Sequence, residues 1–539
     1  MEDPKRITVD EEKLPDDERK PKIEVPQVTW WKDPGLRKLY CMMPILFLGS
    51  TINGYDGSLL NGLQTMDPWQ EYFDHPTSAR LGLFTAIQNI GSFVAIFFSS
   101  YAADMLGRRI GVVIGLIVLL VGTIIQGEYI SSFNEASVKV LTSVNSRTVR
   151  ELWNVHCSNL SQGSAPLLVM ELAYPTHRGK LTTMYNTLWY VGSIVAAWTV
   201  YGTVNYTSDA AWRIPVGVQA AMPAIQLVGI WFLPESPRWL CAKDRASEAF
   251  EVLAKYHANG DTHSAFIEQE LFEIQETIRL EQQNSHGSWA DLVRTPGNRK
   301  RLLLIILTAF FSQCSGNGLV SYYIHDILTS VGVHDASDQS IINGGLQIWS
   351  FLVAVLFSVL LVDRLGRRTL FLTAGVGMLI AFSIWTACSA VYADTGNKAA
   401  GGAVIAMIFA FYGVAGFAWP GLTVSYCAEI LPFHIRAKGL AVTMAGTAAS
   451  SVFNQYVNPI GLAALHWKFY FVYIAILVLE CGAIYFLYVE TRGPTLEEIA
   501  RLFDGEDADV AGKEEVVDVA RGKIAKGNSA VGAEHVEEA

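Results

Sequence analysis

The sequence predicts an all-α membrane protein: twelve transmembrane helices in two six-helix repeats, joined by a cytoplasmic helical middle loop. Three observations carry that expectation. The chain of 539 residues is 51% apolar and only 17% charged, with mean hydropathy +0.28, too greasy for an ordinary soluble enzyme of this length. A set of charged motifs occurs once in each half. Asp104-Met-Leu-Gly107-Arg108-Arg109 returns as Asp363-Arg-Leu-Gly366-Arg367-Arg368, Glu171 with Pro175 and Arg178 returns as Glu429 with Pro432 and Arg436, and Pro234-Glu235-Ser236 returns more weakly as Val489-Glu490-Thr491. These pairs keep one order and nearly one interval. Each also sits where a long apolar segment meets a charged loop, which is what two parallel membrane repeats produce.

A span needs roughly 20 mostly apolar residues, and eleven windows qualify: 40–62, 81–103, 110–127, 181–203, 214–233, 302–324, 341–362, 370–392, 401–427, 440–463 and 467–489. Arg and Lys cluster at 108–109, 178–180, 238–245, 294–301, 364–368 and 436–438, whereas the loops around 67–79, 205–210 and 326–340 are acidic or neutral. By the positive-inside rule the clusters, both termini and the middle loop are cytoplasmic. Asn205-Tyr-Thr is then outside, a candidate glycosylation site. A chain that leaves through 110–127 must return before Arg178, so a span is inferred at about 152–173, although its first half is polar for lipid. The preceding Lys139, Arg147 and Arg150 would each cost about 2.5 to 3.5 kcal/mol at mid-membrane, and that stretch is expected outside.

These spans divide the chain into a disordered cytoplasmic tail (1–35), a six-helix bundle (36–240), a helical linker (241–300), a second six-helix bundle (301–492) and a second tail (493–539). In the linker, Ala246-x2-Ala-Phe-x-Val-Leu and Phe266-x4-Leu-Phe-x-Ile-x3-Ile have helical apolar spacing, against the alternative of a solvated connection. The net charge of −11 comes from acids gathered in the two tails and implies no nucleic-acid partner. Seven scattered cysteines without CxxC spacing point to neither a disulfide nor a metal site, and no cofactor is implied. The N-terminus lacks an apolar leader, so no cleaved signal peptide is expected.

Taken together, the paired D-x-L-G-R-R motifs, the E-x3-P-x2-R-G turn at Glu171 to Gly179, PESPRW at 234–239 and VETRG at 489–493 resemble the sugar porters of the major facilitator superfamily. Gly49-Ser-Thr-Ile-Asn-Gly-Tyr-Asp-Gly57 and Ser315-Gly-Asn-Gly-Leu-Val-Ser-Tyr-Tyr323 look most like the fungal lactose and hexose permease branch. The resemblance covers about residues 35–500 apart from one gap. Physically, the glycines permit tight turns and the arginines cannot enter hydrocarbon; setting topology alone would explain the arginines but not Asp104 and Asp363 at one fixed spacing. The resemblance implies that Asp104, Arg108, Arg109, Glu171, Arg178 and Glu235, with Asp363, Arg367, Arg368, Glu429, Arg436 and Glu490, form a cytoplasmic salt-bridge network. In that family the network shuts the inner gate while the site faces outward.

Sugars are dense in hydroxyls, so a sugar site needs amide, hydroxyl and aromatic partners at the interface of the halves. Gln313 and Asn317 share a span with Tyr322, and Asn454 lies in another; a buried amide also serves as glue between membrane helices. Asn186, seven residues after Gly179, occupies the position of the family's sugar-binding glutamine, and Trp419 is the nearest tryptophan upstream of Val424, where the family has an aromatic residue. Asp56 is an acid inside the first span, costly unless paired, hydrated or protonated. Similar symporters couple protons through such an aspartate and an arginine in the fourth helix. The other reading of Asp56 is an acid facing the extracellular vestibule.

The sequence departs from that pattern in one block. The coupling arginine lands on Glu151, one residue after Arg150, and 127–164 resembles nothing in the family. So abrupt a boundary is expected of an artefact of the gene as translated, such as a retained intron or shifted frame, which would impair function. The expected function is proton-coupled symport of a mono- or disaccharide, lactose-type or hexose, by alternating access of a plasma-membrane monomer in the lipid bilayer. A facilitative uniporter or a non-transporting sugar sensor are the alternatives. No nucleophile constellation, HExxH or phosphate loop points to an enzyme.

Overall fold

The computed structural model of the chain describes residues 26, 28–76, 79–86, 89–91, 104–126, 164–284, 289–360, 365–492 and 502–504, which are helices and connections with no strand among them. Six helical stretches among the described residues are long and apolar enough to cross a membrane by length and composition: Ala210–Phe232, Pro296–Ser330, Ala336–Leu356, Arg367–Thr395, Lys398–Ile430 and Lys438–Leu487. They cover the sixth to twelfth expected spans, the last stretch holding two that meet at the turn His466–Phe469. The first span is Pro34–Leu63, the third Arg108–Gln126, and the fifth runs from Arg178–Thr187 into Trp189–Thr203. Of the second span, residues 79–86 and 89–91 are described, and of the inferred fourth span residues 164–172, all helical. The block 127–163, with Arg150, Glu151 and the polar half of the fourth window, lies outside the described residues.

Local chemistry moves two helix starts ahead of their apolar windows. Asp33 caps the first span, accepting the Leu36 N–H at 2.9 Å, and Thr295 caps the seventh, accepting the Asn298 N–H at 3.1 Å. Each cap precedes a proline whose fixed φ suits the first turn, so these helices start at Pro34 and Pro296, six residues before apolarity alone places them. Two spans of the second half are broken. The seventh divides at Ser315–Gly316 and the tenth between Ala415 and Trp419.

The first and fifth spans approach backbone to backbone. A Cβ on Gly54 would lie 1.8 Å from the Trp189 carbonyl oxygen, and one on Gly192 would lie 1.9 Å from that of Thr51. Small residues at a membrane helix contact permit this closeness, and Ser193 fastens it by donating to the Gly54 carbonyl at 3.1 Å. The second half packs around Phe371, Phe382, Trp385 and Phe411. The first half has one cluster around Leu46, Leu116 and Leu168. Another, around Trp69, Phe84 and Trp212, takes in Tyr323 from the second half.

The linker forms helices Ala246–His257 and Ala265–Asn284, joined through Leu253, Ala254 and Ile267 and pinned to the first half. His257 bonds Glu270 at 2.8 Å and the Leu172 carbonyl at 3.2 Å. Asn259 accepts the Gly35 N–H at 2.6 Å and donates to Asp33 at 2.8 Å. Past the last span, Phe503 and Asp504 fold back onto the start of the seventh. Arg301, only 1% exposed, makes two bonds to Asp504 at 2.9 and 2.7 Å and lies 4.8 Å from the Phe503 ring centre.

Candidate functional site

At the end of the bundle that carries the repeated motifs, the loop before the third span turns at Gly107, whose φ of +107° is left-handed. A Cβ there would lie 2.6 Å from Glu235 Oε2, so this glycine supplies both the turn and the room for a carboxylate. Glu235 accepts the backbone N–H of Arg109 at 3.2 Å and of Ser236 at 2.9 Å. Burial raises this carboxyl above its ordinary value, against the lowering pull of those N–H groups. Arg108 pairs with Asp104 at 2.7 Å and Glu171 at 3.2 Å, and Ser236 donates to Glu171 at 2.5 Å. Arg109 turns away to the Leu233 carbonyl at 3.1 Å and the Trp231 ring.

The second half repeats the main pairings, with a shift of one residue at the backbone N–H that its glutamate accepts. Glu490 accepts the Arg367 N–H at 2.7 Å, the Arg367 guanidinium pairs with Glu429 at 3.2 Å, and Thr491 donates to Glu429 at 2.5 Å. Arg368 reaches the Tyr485 carbonyl and lies over its ring. Arg178 and Arg436 complete the correspondence, each donating Nε at 3.2 Å to a carbonyl five residues earlier, Ala173 and Leu431. Arg178 also pairs with Glu270 of the linker at 3.3 Å. Asp363 lies outside the described residues. Sequence reasoning missed the hydroxyls of Ser236 and Thr491, although the repeat held the signal: the two residue types share a hydroxyl, and each follows its glutamate directly.

Within the bundle, Asp56 Oδ1 accepts the Gln219 side-chain N–H at 2.7 Å. This sixth-span partner went unnoticed because a glutamine between Val218 and Ala220 matches no motif. Gln313, Asn317 and Asn454 are brought together at the break in the seventh span. Asn454 Nδ2 donates to the Gln313 carbonyl and its Oδ1 accepts from Tyr473 at 2.6 Å. Asn317 Nδ2 donates to the Ser312 carbonyl at 3.3 Å, and the Asn317 carbonyl accepts from Tyr412 at 2.8 Å. Tyr322 is half-buried one helical turn on. Trp419 begins the second part of the tenth span and packs edge-on to Phe371, ring centres 5.1 Å apart. Asn186 is exposed on the fifth span and belongs to no bond in this group.

The two halves meet at the end opposite the motifs. Asn89 donates to Gln455 at 2.7 Å, Thr85 and Tyr323 share a hydroxyl bond at 2.5 Å, Gln64 donates to the Tyr322 carbonyl at 3.2 Å, and Ser337 donates to Asn205 at 3.1 Å. Trp198 of the fifth span fits against Gly344 of the eighth. Three ion pairs described at the motif end, by contrast, link elements of one half, Arg108 to Glu171 and Arg367 to Glu429, or tie the first half to the linker, Arg178 to Glu270. Asn205 itself is exposed.

A family model described as "Sugar (and other) transporter" matches residues 42–503. An MFS-type transporter, oryC of Aspergillus oryzae, is 30% identical over 471 residues, 86% of this chain and 84% of the relative. Hexose transporter 2 of Kluyveromyces lactis is 29% identical over 498 residues, 87% of this chain and 84% of its own. Among solved structures, an inward-open form of the xylose transporter XylE from E. coli superposes with a TM-score of 0.70 at 19% identity, covering 86% of this chain and all of the other. A structure of the same protein, the proton:xylose symporter XylE, bound to 6-bromo-6-deoxy-D-glucose gives 0.68 at 20% identity, covering 87% and 100%. At such identity the likeness shows the fold, the two-half helical bundle of the major facilitator superfamily.

Proposed function

We propose that this chain, which belongs to the sugar transporter family of the major facilitator superfamily, couples the entry of its sugar to protons. The observation that carries the reading is Asp56, an acid inside the first span whose described partner is the neutral amide of Gln219. An amide stabilises a carboxylate less than a cation does, so the group is poised to take up and release a proton. Gln313, Asn317, Tyr322, Trp419 and Asn454, with Asn186 from the first half, are proposed as the sugar partners. Relatives named for glucose and hexoses support a hexose-sized substrate over a disaccharide.

The charged networks are proposed as the cytoplasmic gate. Their pairing within each half, with the opposite ends in contact, supports a state open toward the motif end, which the positive-inside rule makes cytoplasmic. Both termini then lie in the cytoplasm, Asn205 is extracellular and available for glycosylation, and the protein works as a plasma-membrane monomer. One observation favours facilitative uniport: the coupling arginine of similar symporters falls on Glu151. Uptake of a panel of labelled sugars by carrier-deficient cells, with and without an uncoupler, separates the readings. Uptake of a hexose that collapses with the uncoupler is expected; uptake indifferent to it overturns symport.

A further inference from the structure

The break in the seventh span holds a proton inventory that does not balance unless a second acid is neutral. Glu480, on the twelfth span, is fully buried. Its Oε2 lies 2.5 Å from Ser315 Oγ, and the same hydroxyl is hydrogen-bonded to the Phe311 carbonyl. A hydroxyl owns one hydrogen, and a carbonyl can only accept. If Ser315 gives its hydrogen to Phe311, the bond to Glu480 must take its hydrogen from the carboxyl; if it gives it to Glu480, two acceptors crowd without a hydrogen between them. Among the described residues, the groups around the carboxyl offer no charge to balance a carboxylate. They are Ser315 on the seventh span, Gly375 on the ninth, Trp419 on the tenth, Cys481 on its own span and Tyr488 directly after that helix. An unpaired charge so deep in a membrane bundle is expensive, and losing it by protonation is the cheapest relief.

We propose that Glu480 is a proton-binding site of this protein, a neutral carboxylic acid that donates to Ser315 and thereby latches the break in the seventh span. Ser315 is followed directly by Gly316, whose φ of +106° starts the separate half-helix Asn317–Ser330. That half-helix carries Asn317 and Tyr322, and its Tyr323 reaches Thr85 in the other half. When the acid loses its proton to water, the carboxylate can be satisfied only if the Ser315 hydrogen turns from the Phe311 carbonyl toward it. The bond from the hydroxyl to the first part of the helix then opens, and the described side-chain tie across the break is left to Asn317 and the Ser312 carbonyl at 3.3 Å, which loosens the half-helix. Trp419, beside the same carboxyl, places the break and a proposed sugar partner around one titrating group. The link to transport rests on the reading of the chain as a proton-coupled carrier; the protonation itself rests on the geometry alone.

Infrared spectroscopy of the full chain in lipid vesicles, in an Asp56→Asn background, tests this directly. Subtracting the spectrum of the same protein carrying Glu480→Gln at neutral pH is expected to leave a carboxylic-acid C=O band, and Ser315→Ala should shift that band by removing its acceptor. A difference showing only carboxylate bands overturns the proposal. If Glu480→Gln does not yield folded protein, the Ser315→Ala shift carries the test, and an unmoved spectrum overturns it. As a functional readout, the change in sugar counterflow that the wild type shows on the alkaline side should vanish in Glu480→Gln; an unchanged pH profile refutes the latch. The infrared measurement needs no sugar, so a band present in a protein that exchanges none leaves the proton site standing while the symport reading fails.

Discussion

Replacing Asp56 by Asn removes one titrating group and little else. The amide keeps an oxygen where Oδ1 accepts from Gln219 at 2.7 Å, and trading a charged for a neutral acceptor costs about 1 kcal/mol of hydrogen bonding, too little to unfold the bundle. The effect on coupling is of another kind. One carboxylate carries one proton per sugar, and every ~1.4 kcal/mol corresponds to a tenfold ratio. A pH difference of about one unit across the membrane therefore supports sugar accumulation of up to about tenfold in the wild type, and none in Asp56→Asn. The assay is labelled hexose in proteoliposomes with an imposed pH gradient, read as the inside-to-outside ratio at steady state. The wild type is expected to accumulate; Asp56→Asn is expected to equilibrate at a ratio of unity while still exchanging labelled for unlabelled sugar across both faces. Accumulation by Asp56→Asn equal to the wild type would refute the assignment, and equilibration by both proteins would show uniport.

Three further outcomes follow from the geometry. Ser236→Ala and Thr491→Ala each remove a hydroxyl bonded at 2.5 Å to a glutamate. Each should cost about 1 to 3 kcal/mol in reversible unfolding from mixed micelles, adding to within about 0.5 kcal/mol in the double variant because the two lie in separate halves; strong non-additivity would contradict the independence of the two hydroxyl bonds. Asp504→Ala strips Arg301 of two bonds in a buried position, so limited proteolysis should release the C-terminal tail several-fold faster, and an unchanged rate would show that the docked tail contributes nothing. Cysteines at Asn205 and Ser337, bonded to each other across the halves, should stop sugar exchange on oxidation and restore it on reduction; exchange that persists through a complete cross-link would show that this end need not open.

Much of the architecture was legible because the membrane imposes simple rules. Arg108 and Arg367 cannot lie in hydrocarbon, so the charged loops marked the span ends, and the duplication gave each half a check against the other. What periodicity could not show was where backbone geometry interrupts a span. The break at Gly316 depends on one left-handed residue inside a window apolar enough overall to read as a single span, and the early start at Pro34 depends on a single capping carboxylate. The paired networks at the motif end were readable as charges and not as hydroxyls, since Ser236 and Thr491 become informative only once Glu171 and Glu429 are placed beside them. Gln219 and Glu480 were missed for a related reason: a lone polar residue in an apolar run has no spacing to read, and its meaning comes from the helix packed against it. Arg301 lay in plain view as part of a basic cluster, but its buried bond to Asp504 joins the start of the second half to a residue beyond its last span.

Alternating access requires a cavity that opens in turn to each side of the membrane with a sugar inside it, and counterflow measures that directly. Proteoliposomes loaded with unlabelled hexose and diluted into a trace of labelled hexose should take up label faster, and transiently to a higher level, than empty vesicles, with no pH gradient present. Label entering loaded and empty vesicles at one rate, for every sugar in the panel, would contradict alternating access by this protein.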